Sequence, residues 1–97
     1  MHNILADKAH QITVPKDLED VWCLFLRAIA IGWIQSDDVA DIIKVIKNDN
    51  FGGYCSEEFN VEPKWGSEGE LHVRFLNESY VCRTSLLREY LELLSNA

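Results

Sequence analysis

The sequence predicts one α+β domain over residues 1–97: a two-helix hairpin, a three-stranded antiparallel sheet and a C-terminal helix. Three observations carry that prediction. Apolar residues recur at helical spacing over residues 16–34, 36–48 and 84–97, and alternate with polar ones over 70–76. Between them, residues 48–57 (NDNFGGYCSE) have loop composition, with Gly52 and Gly53 free to take positive φ. Finally, 97 residues with a 47% hydrophobic fraction suffice for a single core and are too apolar for global disorder.

Residues 4–12 carry no decisive pattern. The first strong element, residues 16–34, has Asp17, Glu19 and Asp20 in its first turn, where the helix dipole favours negative charge. Leu18, Val21, Trp22, Phe25 and Ile29 fall at helical spacing, and Leu24, Leu26, Ala28 and Ile31 make the remainder apolar as well. Such a helix is expected to be surrounded on most sides and to form the centre of the core.

Gly32 weakens its end, and Ser36 is the expected N-cap of a second helix reaching about residue 48. Val39, Ile42, Ile43 and Ile46 form its apolar stripe, with Asp37, Asp38 and Asp41 near its positive end and Lys44 and Lys47 near its negative end. The short Gln35–Ser36 connection implies that the two helices pack together as a hairpin. Strands are expected at 59–65, 70–76 and 79–83. A two-residue turn at Asn77 and Glu78 sets Phe75 opposite Tyr80 and Val73 opposite Cys82. Leu71, Val73, Phe75, Tyr80 and Cys82 then share one face, and His72, Arg74 and Arg83 the other; a one-residue slip would exchange the faces. The last helix begins at Thr84 or Ser85 and shows Leu87, Tyr90, Leu91 and Leu94 at helical spacing.

Sixteen acids against nine bases give a net charge of −7, which disfavours nucleic acid and anionic membrane and favours a cationic partner. The excess is local: residues 1–35 carry −1, residues 36–78 carry −6 and residues 79–97 balance at zero. The longest nearly uncharged run, 21–34, has 14 residues and contains Arg27, whereas a membrane span needs about 20. No basic segment followed by an apolar stretch opens the chain, so no secretory signal is expected. Cys23, Cys55 and Cys82 are odd in number and widely spaced, which suits neither a disulfide framework nor a zinc site. A reducing cytoplasm is the expected location, with Cys23 and Cys82 as small core residues.

Catalytic constellations are weak. Cys55 lies beside Glu57 and Glu58, whose charge disfavours the thiolate that a nucleophile requires. His72, flanked on its strand face by Glu70 and Arg74, reads as part of a mixed-charge hairpin surface; His2 and His10 lack the spacing of helical metal ligands. Asp37, Asp38 and Asp41 are ordinary helix-start acids. Residues 49–59 fail the calcium-loop pattern, because Phe51 occupies the second ligand position and Gly52, at the fourth position of the loop, cannot supply a side-chain oxygen, and Gly52-Gly53 lacks the residues of a phosphate loop. No catalytic residue, metal or cofactor is expected, and the chain is read as a non-enzyme.

The remaining constellation runs from residue 49 to 70, with six acids and the single base Lys64. One reading makes it a solvated loop region whose aromatics cover the core. The other makes it a partner-binding surface, with Tyr54 and Trp65 as aromatic anchors and Asp49, Glu57, Glu58, Glu62 and Glu68 steering a basic partner. In size, in acidity concentrated between Asp37 and Glu78, and in the AIAIGWIQSDD junction leading into an acidic helix, the chain resembles bacterial immunity proteins, the small antitoxins against polymorphic or contact-dependent growth inhibition toxins. The resemblance implies stoichiometric covering of a toxin's active site or substrate groove, with a cationic nuclease domain as target. Two alternatives stand beside it: an acidic adaptor or accessory subunit unrelated to toxins, and a small enzyme using His72 or Cys55.

Overall fold

The computed structural model describes residues 3–47, 53–56, 58–64, 66 and 68–96. In chain order they form α1 (Ile4–Gln11), α2 (Lys16–Ala30), α3 (Ser36–Lys47), β1 (Tyr54–Ser56), β2 (Phe59–Pro63), β3 (Glu70–Phe75), β4 (Glu78–Arg83) and α4 (Thr84–Asn96). The α+β class is as expected, but the sheet has four strands, antiparallel in the order β1-β2-β3-β4. The added strand, β1, lies in the stretch whose composition reads as loop. Gly53 leads into it at φ 113°, and a Cβ there would approach the Val61 carbonyl oxygen to 3.1 Å. A glycine that reads as a loop signal thus serves as the entry to an edge strand.

Period-two alternation sorts the sheet. Phe59, Val61, Leu71, Val73, Phe75 and Cys82 are buried on one face, while the outer face carries Asn60, Glu62, His72, Arg74, Val81 and Arg83. The expected faces are therefore correct, but the register is shifted by two residues: Val73 faces Tyr80, Leu71 faces Cys82 and Phe75 faces Glu78. The turn is at Leu76 and Asn77 rather than Asn77 and Glu78. Leu76 takes the left-handed conformation (φ 58°) that composition would assign to Asn or Gly, and its N–H donates to the Glu58 carbonyl at 3.0 Å. A two-residue shift preserves side-chain parity, so core burial alone does not oppose it.

α2 lies across the inner face against β3 and β4, and α1 packs on α2 and α4. A continuous aromatic file runs through this core. Tyr90 meets Trp22 edge-on at 6.4 Å, Trp22 meets Phe25 at 6.1 Å, Phe25 meets Phe59 at 4.8 Å, Phe59 meets Phe75 at 5.8 Å and Phe75 meets Trp33 at 5.5 Å. Two features of α2 depart from expectation. It stops at Ala30 rather than continuing to residue 34, because Gly32 at φ 84° closes it: the Gly32 N–H donates to Ile29 O and the Trp33 N–H to Ala28 O, the paired bonds of a Schellman cap. Cys23 is not a core residue, since it falls on the exposed stripe Asp20–Cys23–Arg27–Ala30, opposite the side facing the sheet. Cys82 is buried as expected.

The helix hairpin is also replaced. α3 lies chiefly against α4, with Lys47 Nζ reaching Glu92 at 3.2 Å. The sheet occupies the main apolar face of α2, so the Val39–Ile42–Ile46 stripe is covered from elsewhere, and Leu87, Leu91 and Leu94 of α4 present the matching stripe. The undecided N-terminal stretch is the helix α1. Asn3 Oδ1 caps it by accepting from the Ala6 N–H at 3.0 Å, while Asn3 Nδ2 donates to Ile29 O at 2.9 Å and fastens the start of α1 to the end of α2.

Candidate functional site

α3 begins next to β1, and one carboxylate joins them. Asp38, in the first turn, accepts from the Gln35 backbone N–H through Oδ2 at 2.8 Å and from the Tyr54 hydroxyl through Oδ1 at 2.9 Å. The bond to Gln35 is the return half of a capping box, so the helix start is closed by Asp38, where the sequence suggested Ser36 as cap. Burial of the partly buried Tyr54 phenol, then its bond to Asp38 and the nearby Asp41 charge, push its pKa up to about 12. Tyr54 sits opposite Val61 on the helix-covered side of the sheet, so its hydroxyl ties an edge strand to a helix.

The expected acidic surface is distributed over three places. Glu58 stands in the turn before β2, and Glu68 stands before β3 at the other end of the strand pair. The five residues of β2 separate those ends by roughly 13 Å at 3.3 Å per residue. Glu62 lies on the outer face opposite His72, beside Asn60 and Arg74. With the Asn60 amide turned so that its oxygen faces Arg74, it accepts from that guanidinium at 2.6 Å. All three glutamates are exposed. Asp49, Glu57 and Trp65 lie outside the described residues.

Around Arg74 the outer face forms a shallow hollow of about 370 Å³, lined by Gly53, Tyr54, Cys55, Asn60 and Glu62. It mixes Arg74 with Glu62 and carries an exposed thiol. Arg27 and Glu78 form a second polar cluster at the end of α2, where the guanidinium lies 5.4 Å above the Phe75 ring and holds the Glu78 carboxyl below the usual carboxylate range. Among the described residues, no group of three or more His, Cys, Asp or Glu side chains could hold a metal ion, and no helix is long and apolar enough to cross a membrane.

Sequence reasoning missed the apolar part of the surface. Ile4 and Ile31, 62% and 56% exposed, border an open groove of about 530 Å³ between the start of α1, the end of α2 and the start of α3. Ile31 had been assigned to a buried helix face, but α2 stops one residue before it. Ile4 falls in the stretch without a readable pattern, whose helix is capped by Asn3 and buries only Ala9. Comparison with family models, curated proteins and solved structures gives no match to this chain.

Proposed function

We propose that this chain is a stoichiometric binding protein that covers a cationic partner with its acidic surface, and that the partner is a bacterial toxin, a nuclease domain neutralised in the manner of immunity proteins. The carrying observation is a set of exposed acids: no ion pair joins Asp37, Asp41, Glu58, Glu62 or Glu68 to another described residue, whereas Glu70, Glu78 and Glu92 are each paired within the chain. Unpaired surface carboxylates keep their full field for an incoming cation and accelerate its encounter. A nuclease active site that accommodates phosphates would meet in them a substitute for the nucleic-acid backbone. Tyr54, partly buried against the core and held through its hydroxyl by Asp38, would meet such an interface from the edge strand β1.

The test is retention of a partner on the immobilised chain at low and high salt, followed by identification and assay of what is retained. A single basic enzyme that loses activity at a 1:1 ratio, and whose association slows in salt, supports the proposal. A retained partner without enzymatic activity supports an acidic adaptor instead. Binding unchanged by salt and by the charge reversals Glu58→Lys and Glu62→Lys overturns the electrostatic reading altogether.

A further inference from the structure

We propose that β4 pairs with the β4 of a second copy of the chain, antiparallel and about a two-fold axis at Val81, so that two four-stranded sheets become one continuous sheet. The inference concerns a surface apart from the acids above and stands whether or not their partner is a toxin.

The open edge follows from the hairpin. β4 is hydrogen-bonded to β3 alone, and the Thr84 N–H just past its end donates to Gly69 O at 2.8 Å. On the other side of β3, the Leu76 N–H donates to Glu58 O. Backbone groups alternate in direction along a strand, so these two bonds settle which residues of β4 turn inward: Glu78, Tyr80 and Cys82 exchange bonds with Phe75, Val73 and Leu71. The N–H and C=O groups of Ser79, Val81 and Arg83 therefore point away from the sheet. All three residues are exposed, and no backbone bond from another described segment reaches them. β4 also has none of the devices that keep strand edges single. It contains no proline or lysine, and its six residues pair with β3 without a bulge, whereas β1 at the opposite edge has only three.

The occupant is set by the symmetry of this edge. The three outward-facing residues are centred on Val81, so a second β4 laid antiparallel puts Val81 opposite Val81 and Ser79 opposite Arg83 on either side. Each is a hydrogen-bonded pair, and about six bonds fill every outward group. Slipping by two residues one way leaves Arg83 against Asn77 in the turn, and the other way leaves Ser79 against Ser85 in α4. An odd slip would set the inner face of one copy beside the outer face of the other. Charge favours the same edge. No like charges face each other across it, and Glu78, the one acid of β4, is already paired with Arg27. Residues 79–97 balance at zero, whereas association through residues 36–78 would set −6 against −6. The helices leave room as well. α2 lies against β3 and β4, so at about 4.8 Å between strands the two copies of α2 run roughly 10 Å apart, near the spacing of packed helices.

The experiment follows the full chain by sedimentation equilibrium over a roughly hundredfold range of concentration, with amide hydrogen exchange at both ends of the range. A monomer–dimer equilibrium is expected, with the amides of Ser79, Val81 and Arg83 exchanging at least about tenfold more slowly in the dimer. Val81→Lys sets two ammonium groups face to face at the axis and is expected to weaken dimerisation at least about tenfold. Because Val81 is exposed, that variant should keep the wild-type amide spectrum away from β4. In a Cys23→Ser, Cys55→Ser background, mild oxidation should link Val81→Cys into a dimer, since facing Cα atoms lie about 5.5 Å apart. Ser79→Cys should stay unlinked, because its two copies are displaced by roughly 13 Å along the strands. A chain that stays monomeric throughout, a dimer untouched by Val81→Lys, or linking of Ser79→Cys as readily as Val81→Cys overturns the inference. Protection of the three amides only when a retained partner is added overturns it in favour of a foreign strand on the same edge. None of these outcomes depends on whether a cationic partner is found.

Discussion

The two sides of α2 differ in how completely the chain covers its own apolar atoms. Toward the sheet, Phe25, Phe59, Val61, Leu71 and Val73 are fully buried and the rings meet edge to face. Toward the helix junction, Ile4 and Ile31 stand more than half exposed around an open groove. A chain able to close one side to this degree does not lack apolar material for the other. The open side is the consequence of a helix stopped by Gly32 and a neighbour tied down by Asn3, and it leaves apolar surface uncovered.

The comparison is broken most directly by truncating the closed side. Phe59→Ala removes the ring between Phe25 and Phe75 and should destabilise the fold by about 3–5 kcal/mol, measured by urea unfolding. A smaller loss at this site would mean that the inner face is loosely packed.

Alkali probes the same side chemically. Burial pushes the Cys82 thiol up from 9.0 to about 12, and Tyr54 rises from 10.0 to about 12. Both folded pKa values exceed the unfolded ones, so the folded state binds protons more tightly. Stability should hold below pH 9 and fall as the pH rises toward 12. Tyr54→Phe should flatten part of that fall in pH-dependent unfolding. At pH 8 a thiol reagent should label Cys23 and Cys55 rapidly, and Cys82 only after denaturation.

On the open side, Asn3→Ala removes both the α1 cap and the bond to Ile29 O, and should cost about 1–2 kcal/mol in the same unfolding assay. The smallest effect is the most informative. Ile31→Ala should change stability by no more than about 0.5 kcal/mol, because its side chain is largely exposed. A large stability loss there would show that the groove is part of the core.

The parts of the fold legible in the sequence are those encoded within one element. The 3.6-residue stripes of α2, α3 and α4 and the alternation of β3 and β4 appear where the periodicity puts them, and Leu71, Val73, Phe75 and Cys82 face the core as read. α1 was not legible because only Ala9 of its eight residues is buried, which leaves little stripe to see. The candidate site was less legible still. The acids Glu58, Glu62 and Glu68 are exposed as expected, yet the 22-residue stretch that groups them in sequence folds them onto two ends and one face of a sheet. Asp38 was readable as a helix-start acid, but its bond to Tyr54 spans 16 residues and has no local signature.

By itself the sequence determined the class of fold, the local charge excess and which side of each strand is apolar, because side-chain periodicity follows from the geometry of a single helix or strand. The tertiary structure alone decided that α3 packs on α4, that the β3–β4 turn falls at Leu76, and that Ile4 and Ile31 meet across one groove. Each of those outcomes depends on which distant surfaces are already occupied. When the sheet covers α2, the stripe of α3 must find another partner, and Ile31, just before the Gly32 turn, is left at the surface with Ile4.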